Sequence, residues 1–223
     1  SAIEPEEVGG GMVDKVLPDN YFVTKIFPDR EEAGTPNILG AITLGAAIHV
    51  LHSIGMELIL QKDLDLAEYT INKMKLIEDI FIYGDINILK CPRSGTISFN
   101  VHGMDHGLTA AILNDYFNIA VRNECFCAHP YVEKMLHSTH EEEISQLECQ
   151  DNNLLWKVEP WMGMVRASFG LYTSRQDVDF LVDSLTKIIK NKDFYITQYT
   201  TDNEGSYFHK EFKFSSKDFF SLT

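Results

Sequence analysis

An almost uninterrupted apolar segment limits what this chain can become: Ile38, Ile42, Leu44, Ala46, Ile48, Val50 and Leu51, on to Ile54. It opens at Asn37 and stops at Gly55, residues suited to the two ends of a helix. A helix so apolar all round needs cover, so a buried helix is expected over 37–54. The chain holds no apolar run of about 18 residues, so no membrane span is expected.

At 223 residues the chain can form one large domain or two small ones, and with 44% hydrophobic residues it should fold around a real core. The net charge of -14 repels phosphate backbones and anionic membranes, so neither nucleic acid nor a membrane surface is an expected partner. Simple solubility is the main reading of the acidity. Residues 1–7 are acidic and do not read as a signal peptide. Four cysteines, Cys91, Cys125, Cys127 and Cys149, are too sparse for a disulfide-built domain, and Cys125-Phe126-Cys127 offers too few ligands for zinc. Reduced thiols, a cytoplasmic location and no metal are therefore expected. His137 and His140, beside Glu141-Glu142-Glu143, read as a solvated polar run.

Residues 1–37 are rich in turn formers and read as loops with one short strand. A second helix is expected over 56–81, then strands over 81–89 and 95–101. Asp105 suits the N-cap of a helix through Leu113 and Tyr116, and Ile119–Arg122 reads as a short strand. Residues 137–159 look like an acidic insertion, with Trp156 and Trp161 nearby helping to pack it. Residues 164–169 form a strand, Ser174 caps a last helix, and an aromatic-rich tail over 193–223 suggests a hairpin around Asn203-Glu204-Gly205. The order predicts an α+β fold: a short, mostly antiparallel sheet with helices on one face.

Three segments together carry a family resemblance. Arg30-Glu31-Glu32-Ala33-Gly34-Thr35-Pro36-Asn37 resembles the R-F-E-A-G-T-P-N segment of class V aminotransferases and cysteine desulfurases. Residues 119–130 resemble that family's active-cysteine loop, with Arg122 five residues before Cys127 and Pro130 after it. Residues 165–174 are similar to its R-A-S strand and the turn before the last helix. Two features depart from the pattern: Glu124 stands where desulfurases usually carry glycine, and the acidic insertion is longer.

The resemblance implies the small C-terminal domain of a fold type I enzyme that uses pyridoxal phosphate, and a homodimer. It implies a remnant of the large cofactor-binding domain and the inter-domain loop over 1–37, the small domain with its linking helix over 38–192, and an extension over 193–223. The family's cofactor lysine follows a histidine upstream of Gly9-Gly10-Gly11. The His-Lys pair of this chain, His209-Lys210, lies at the other end, so the chain is expected to start after that lysine.

The same resemblance implies roles for single residues. Thr35 would reach the cofactor phosphate of the neighbouring subunit; read alone, Thr35-Pro36-Asn37 is helix-start chemistry. Arg166 would clamp the carboxylate of a small amino-acid substrate, since a guanidinium matches a carboxylate in bidentate fashion. Cys127 would be the nucleophile that takes sulfur from cysteine, with Arg122 and His129 favouring its thiolate and Glu124 opposing it. Cys125 would assist or trap the sulfur. A buried, inert cysteine is the alternative for Cys127. For the whole chain the alternatives are an aminotransferase or lyase of the same class, or a non-catalytic interaction or dimerisation domain.

Overall fold

The computed structural model describes residues 5–88, 90–91, 93–136, 163–203 and 205–212. The chain divides into two compact units, Ser1–Met56 and Glu57–Thr223.

In the first unit, β1 (Val13–Leu17) and β2 (Asn20–Val23) pair antiparallel, with Leu17 opposite Asn20 across a Pro18-Asp19 turn. A single short strand was expected there. Both strands are largely exposed, so the apolar alternation that marks a half-buried hairpin is missing from their sequence. The glycine run turns at Gly11, φ +90°, and the Gly34 N–H donates to the Gly10 carbonyl at 2.8 Å. That bond pins the glycine turn to the loop carrying Thr35. Helix α1 (Ile38–Ile54) starts at Asn37, whose side-chain oxygen accepts from the Gly40 N–H at 2.8 Å, and stops at Gly55. The helix forms where expected, but its expected burial does not occur. None of its residues is buried, and Ile38, Leu39, Ile42, Leu44, Ile48 and Val50 are each more than half exposed. Composition gives the helix its length and ends, but no described residue covers its apolar sides.

Helix α2 (Met56–Met74) belongs to the second unit from Glu57 on and precedes a three-stranded sheet of β3 (Ile80–Ile82), β4 (Thr96–Val101) and β5 (Val165–Ser168). The strand order is β3-β4-β5 and every pairing is antiparallel. Helix α3 (His106–Phe117) starts at Asp105, whose carboxylate accepts from the Gly107 and Leu108 N–H groups. Helix α4 (Arg175–Lys190) starts in a reciprocal capping box between Ser174 and Asp177. Then follow α5 (Lys192–Gln198) and a terminal hairpin of β6 (Tyr199–Thr201) and β7 (Tyr207–His209).

The core forms on one face of the sheet. Ile97, Phe99 and Val101 of β4 and Val165 and Ala167 of β5 alternate along their strands. They pack with Ala67, Ile71 and Met74 of α2, Leu108, Ile112 and Leu113 of α3, and Leu181, Leu185 and Ile188 of α4. Each fully buried large side chain here contributes roughly 1.5–3 kcal/mol. The expected α+β architecture, a small antiparallel sheet with helices against it, is the one that forms.

Candidate functional site

Alternation in β4 and β5 also decides what the other face carries. Ser98 lies opposite Arg166 in the ladder, and each sits between residues of the core face. Next to them Asn100 is buried and fully engaged. Its amide nitrogen donates to the Tyr83 hydroxyl at 3.1 Å and to the Gly163 carbonyl at 2.9 Å, while its oxygen accepts from the Val165 N–H at 3.2 Å. This side chain locks the entry of β5, and with it the position of Arg166. Nothing in the sequence reading singled it out.

The cysteine loop is tied to the same strand. Arg122 and Arg166 form an isolated antiparallel bridge, which is all that appears of the strand expected over 119–122. After the bridge the backbone is unusual: Glu124, Phe126 and Cys127 have φ of 80°, 53° and 59°. Left-handed conformations in three non-glycine residues so close together mark a strained turn. The turn is held by the Met164 N–H on the Glu124 carbonyl at 3.1 Å and the Ala128 N–H on the Cys125 carbonyl at 2.8 Å. Gly163 packs so closely that a Cβ there would lie 2.8 Å from the Glu124 Cα. A helical stretch at 129–136 follows, and His129 stands exposed at its start.

Loop and strand meet over a cavity of about 230 Å³ lined by Tyr83, Arg93, Ser98, Phe126, Met164 and Arg166, among others. The Arg166 guanidinium lies over the Phe126 ring, 4.8 Å from its centroid. Among the described residues its Nε is buried and finds no hydrogen-bond partner, and neither does the buried Nη1 of Arg93. Sequence reasoning found Arg166 through its motif. Arg93 lies in a loop that carried no motif, and its signal, an arginine two residues before the alternating run that starts at Gly95, is weak.

Cys127 is exposed and Cys125 partly buried. Burial, then the nearby Glu124 and Glu133 carboxylates, push the Cys125 thiol up from its ordinary value. Burial lowers His106 against the opposing pull of Asp105 and Glu124. Arg122, Glu124, Cys125, Cys127 and Arg166 therefore share one loop-and-strand assembly in the second unit. Thr35 belongs to the first unit, exposed in the loop that Gly34 turns at φ +79°. His209 is buried in the terminal hairpin, its Nε2 2.7 Å from the Tyr116 hydroxyl, and the Lys210 ammonium donates to the Thr197 carbonyl. Both are packing roles. His137, His140, Cys149, Trp156 and Trp161 lie outside the described residues. Among the described residues no group of three His, Cys, Asp or Glu side chains could hold a metal ion, and no single helix is long and apolar enough to cross a membrane.

The family model for aminotransferase class-V matches residues 1–181. A probable cysteine desulfurase of Halalkalibacterium halodurans is 34% identical over 186 residues, covering 83% of this chain and 38% of that protein. A cysteine desulfurase of Salmonella newport is 32% identical over 184 residues, 82% of this chain and 38% of the relative. The apo structure of a cysteine desulfurase from Thermococcus onnurineus superposes with a TM-score of 0.63 at 33% identity, covering 84% of this chain and 40% of that one. The chain thus spans about two fifths of the length of these relatives.

Proposed function

Since the chain belongs to the aminotransferase class-V family, we propose that the complete protein is a pyridoxal-phosphate enzyme that removes sulfur from cysteine. The observation that carries this reading is Arg166, a guanidinium with a buried, unpartnered nitrogen beside the strained cysteine loop. A buried donor left without a hydrogen bond is costly, and a substrate carboxylate removes that cost.

Thr35 suits a cofactor phosphate. It is an exposed hydroxyl on a loop fixed by the Gly34–Gly10 hydrogen bond and the α1 cap, and so needs little ordering on binding. When bound, the cofactor supplies the electron sink for breaking a bond next to the amino acid's carbon framework. Arg166 orients the substrate by its carboxylate. The Cys127 thiolate attacks the substrate sulfur; an S–S bond forms, the C–S bond breaks, its electron pair stays with carbon and takes up a proton, and alanine leaves. Cys127 is exposed, which leaves it open to hand the sulfur to an acceptor. Arg122 and His129 supply positive charge near the loop, and Cys125 is the second thiol that could trap the sulfur.

One observation favours the second reading, an aminotransferase or lyase acting on another small amino acid. Glu124 places a carboxylate in the loop, which works against a thiolate there. A homodimer is in keeping with the exposed apolar surface of α1, which a second copy can cover. A reducing, cytoplasmic setting is supported by the exposed, unbridged thiols of Cys91 and Cys127. The test is alanine and sulfide release from L-cysteine by the full-length protein. Cys127→Ser should abolish both products while the cofactor's visible absorbance remains. A Cys127→Ser protein that keeps full activity leaves the aminotransferase or lyase reading.

A further inference from the structure

We infer that Arg93 is a second carboxylate-binding residue of the Arg166 cavity, so that two guanidinium groups share one substrate anion. The inference rests on the reading of Arg166 as a substrate clamp and names a residue that reading does not use. Arg93 lies ahead of β4, and its Nη2 donates to the Tyr83 carbonyl at 3.0 Å. Nη1 is buried and finds no hydrogen-bond partner among the described residues, the same condition as Arg166 Nε. Both side chains line the one cavity, and among the described residues lining it there is no carboxylate. Two guanidinium groups, each with a buried donor left over and no described carboxylate beside them, are completed by a small ligand anion.

The seat of Arg93 is built. Gly84 has φ +85°, and a Cβ there would stand 2.9 Å from Arg93 Nη2. A side chain at position 84 would push the guanidinium out of its place. The two arginines are also held by separate contacts, Arg93 by the Tyr83 carbonyl and Arg166 by the Phe126 ring. Neither consumes the other's donors. At about 230 Å³ the cavity is smaller than the roughly 300 Å³ floor of ordinary ligand pockets, which suits one small anion and not a bulky one.

The experiment measures calorimetric binding of L-alanine and of L-alanine methyl ester to the full-length holoenzyme. The ester keeps the amino group and methyl side chain but lacks the carboxylate charge. Arg93→Gln should weaken L-alanine about tenfold or more and leave the ester unchanged, because only the acid uses the charge-assisted bond. Arg93→Lys should fall between, since it keeps the charge and loses the fork; it carries the test alone if Arg93→Gln does not fold. Arg93→Gln combined with Arg166→Lys should fall short of additive, as expected for two groups on one anion. Equal weakening of acid and ester, or no change for the acid, overturns the inference and leaves Arg93 a packing residue. Failure of the desulfurase reading looks different: the wild type releases no sulfide from L-cysteine while the acid-over-ester preference still depends on Arg93.

Discussion

Arg122 and Arg166 hydrogen-bond to each other through their backbones in both directions, from the Arg166 N–H at 2.7 Å and from the Arg122 N–H at 3.1 Å. This pair is the hinge point of the site. It fixes the start of the cysteine loop against the strand that carries Arg166. Arg122→Pro removes one donor and should cost roughly 1–3 kcal/mol of stability, the price of a buried acceptor left alone. Arg122→Ala keeps both backbone bonds and should stay within about 0.5 kcal/mol, because the Arg122 side chain is exposed. Urea unfolding of the two full-length variants checks this. Equal losses would mean that the side chain, not the bridge, matters.

Glu124 occupies a φ of 80°, where glycine is at ease and a side chain is not. Glycine, the residue that the family resemblance leads one to expect there, would meet no such penalty. Glu124→Gly should relieve strain worth about 1 kcal/mol, less the entropy glycine adds to the unfolded chain. It also removes one of the carboxylates that raise the Cys125 thiol, so Cys125 should alkylate at lower pH than in the wild type. A pH profile of iodoacetamide labelling reads that shift. An unchanged profile would leave burial and Glu133 as the causes.

His106 gives the fold an acid sensitivity. Burial is the largest influence on it and lowers it below the ordinary imidazole value of 6.5, with Asp105 and Glu124 pulling the other way. In the window below 6.5 the unfolded chain takes a proton that the folded chain refuses, so the unfolded state binds more protons and stability rises with pH. The contribution is fully present above the unfolded value and is lost as pH falls through the lower folded one. Urea midpoints of wild type and His106→Gln across about pH 5 to 7.5 should diverge in slope, the variant being flatter. Parallel slopes would assign the acid sensitivity to other groups.

The sequence showed its caps and alternation clearly and its tertiary cover poorly. Asn37, Asp105 and Ser174 mark helix starts because their short side chains satisfy free N–H groups, a purely local effect. The strand at Val165–Ser168 was legible because Val165 and Ala167 alternate with Arg166 and Ser168. Helix α2 stops at Met74, short of 81, since Ile80–Ile82 pairs with β4 and chain-distant pairing outweighs a continuing helical pattern. Helix α5 was missed because Asn191 both ends α4 and starts α5, leaving no turn signal between them. For α1 composition spoke of burial, but burial depends on a surface that no helix supplies for itself. Within the site, Arg166 followed from its motif, whereas Asn100 and Arg93 owe their places to contacts 63 residues and 10 residues away along the chain.

The two thiols of the cysteine loop should react in a fixed order. Cys127 is exposed, whereas Cys125 is partly buried and its thiol is raised by burial first and then by Glu124 and Glu133. The thiolate is the reacting species, so access and thiolate fraction point the same way. Limiting iodoacetamide at about pH 8, near the ordinary thiol range, should label Cys127 before Cys125, with exposed Cys91 as an internal reference. Peptide mass mapping at short times reads the order directly. Glu124→Gly should narrow the gap by making Cys125 more acidic without changing its burial. The same order should govern chemistry: Cys125→Ser keeps most sulfide release from L-cysteine in the complete enzyme, and Cys127→Ser keeps none. If Cys125 is labelled first and its serine variant is the dead one, the nucleophile sits two residues earlier in the loop. The buried thiol would then be the one that takes the sulfur, with Cys127 left to pass it on.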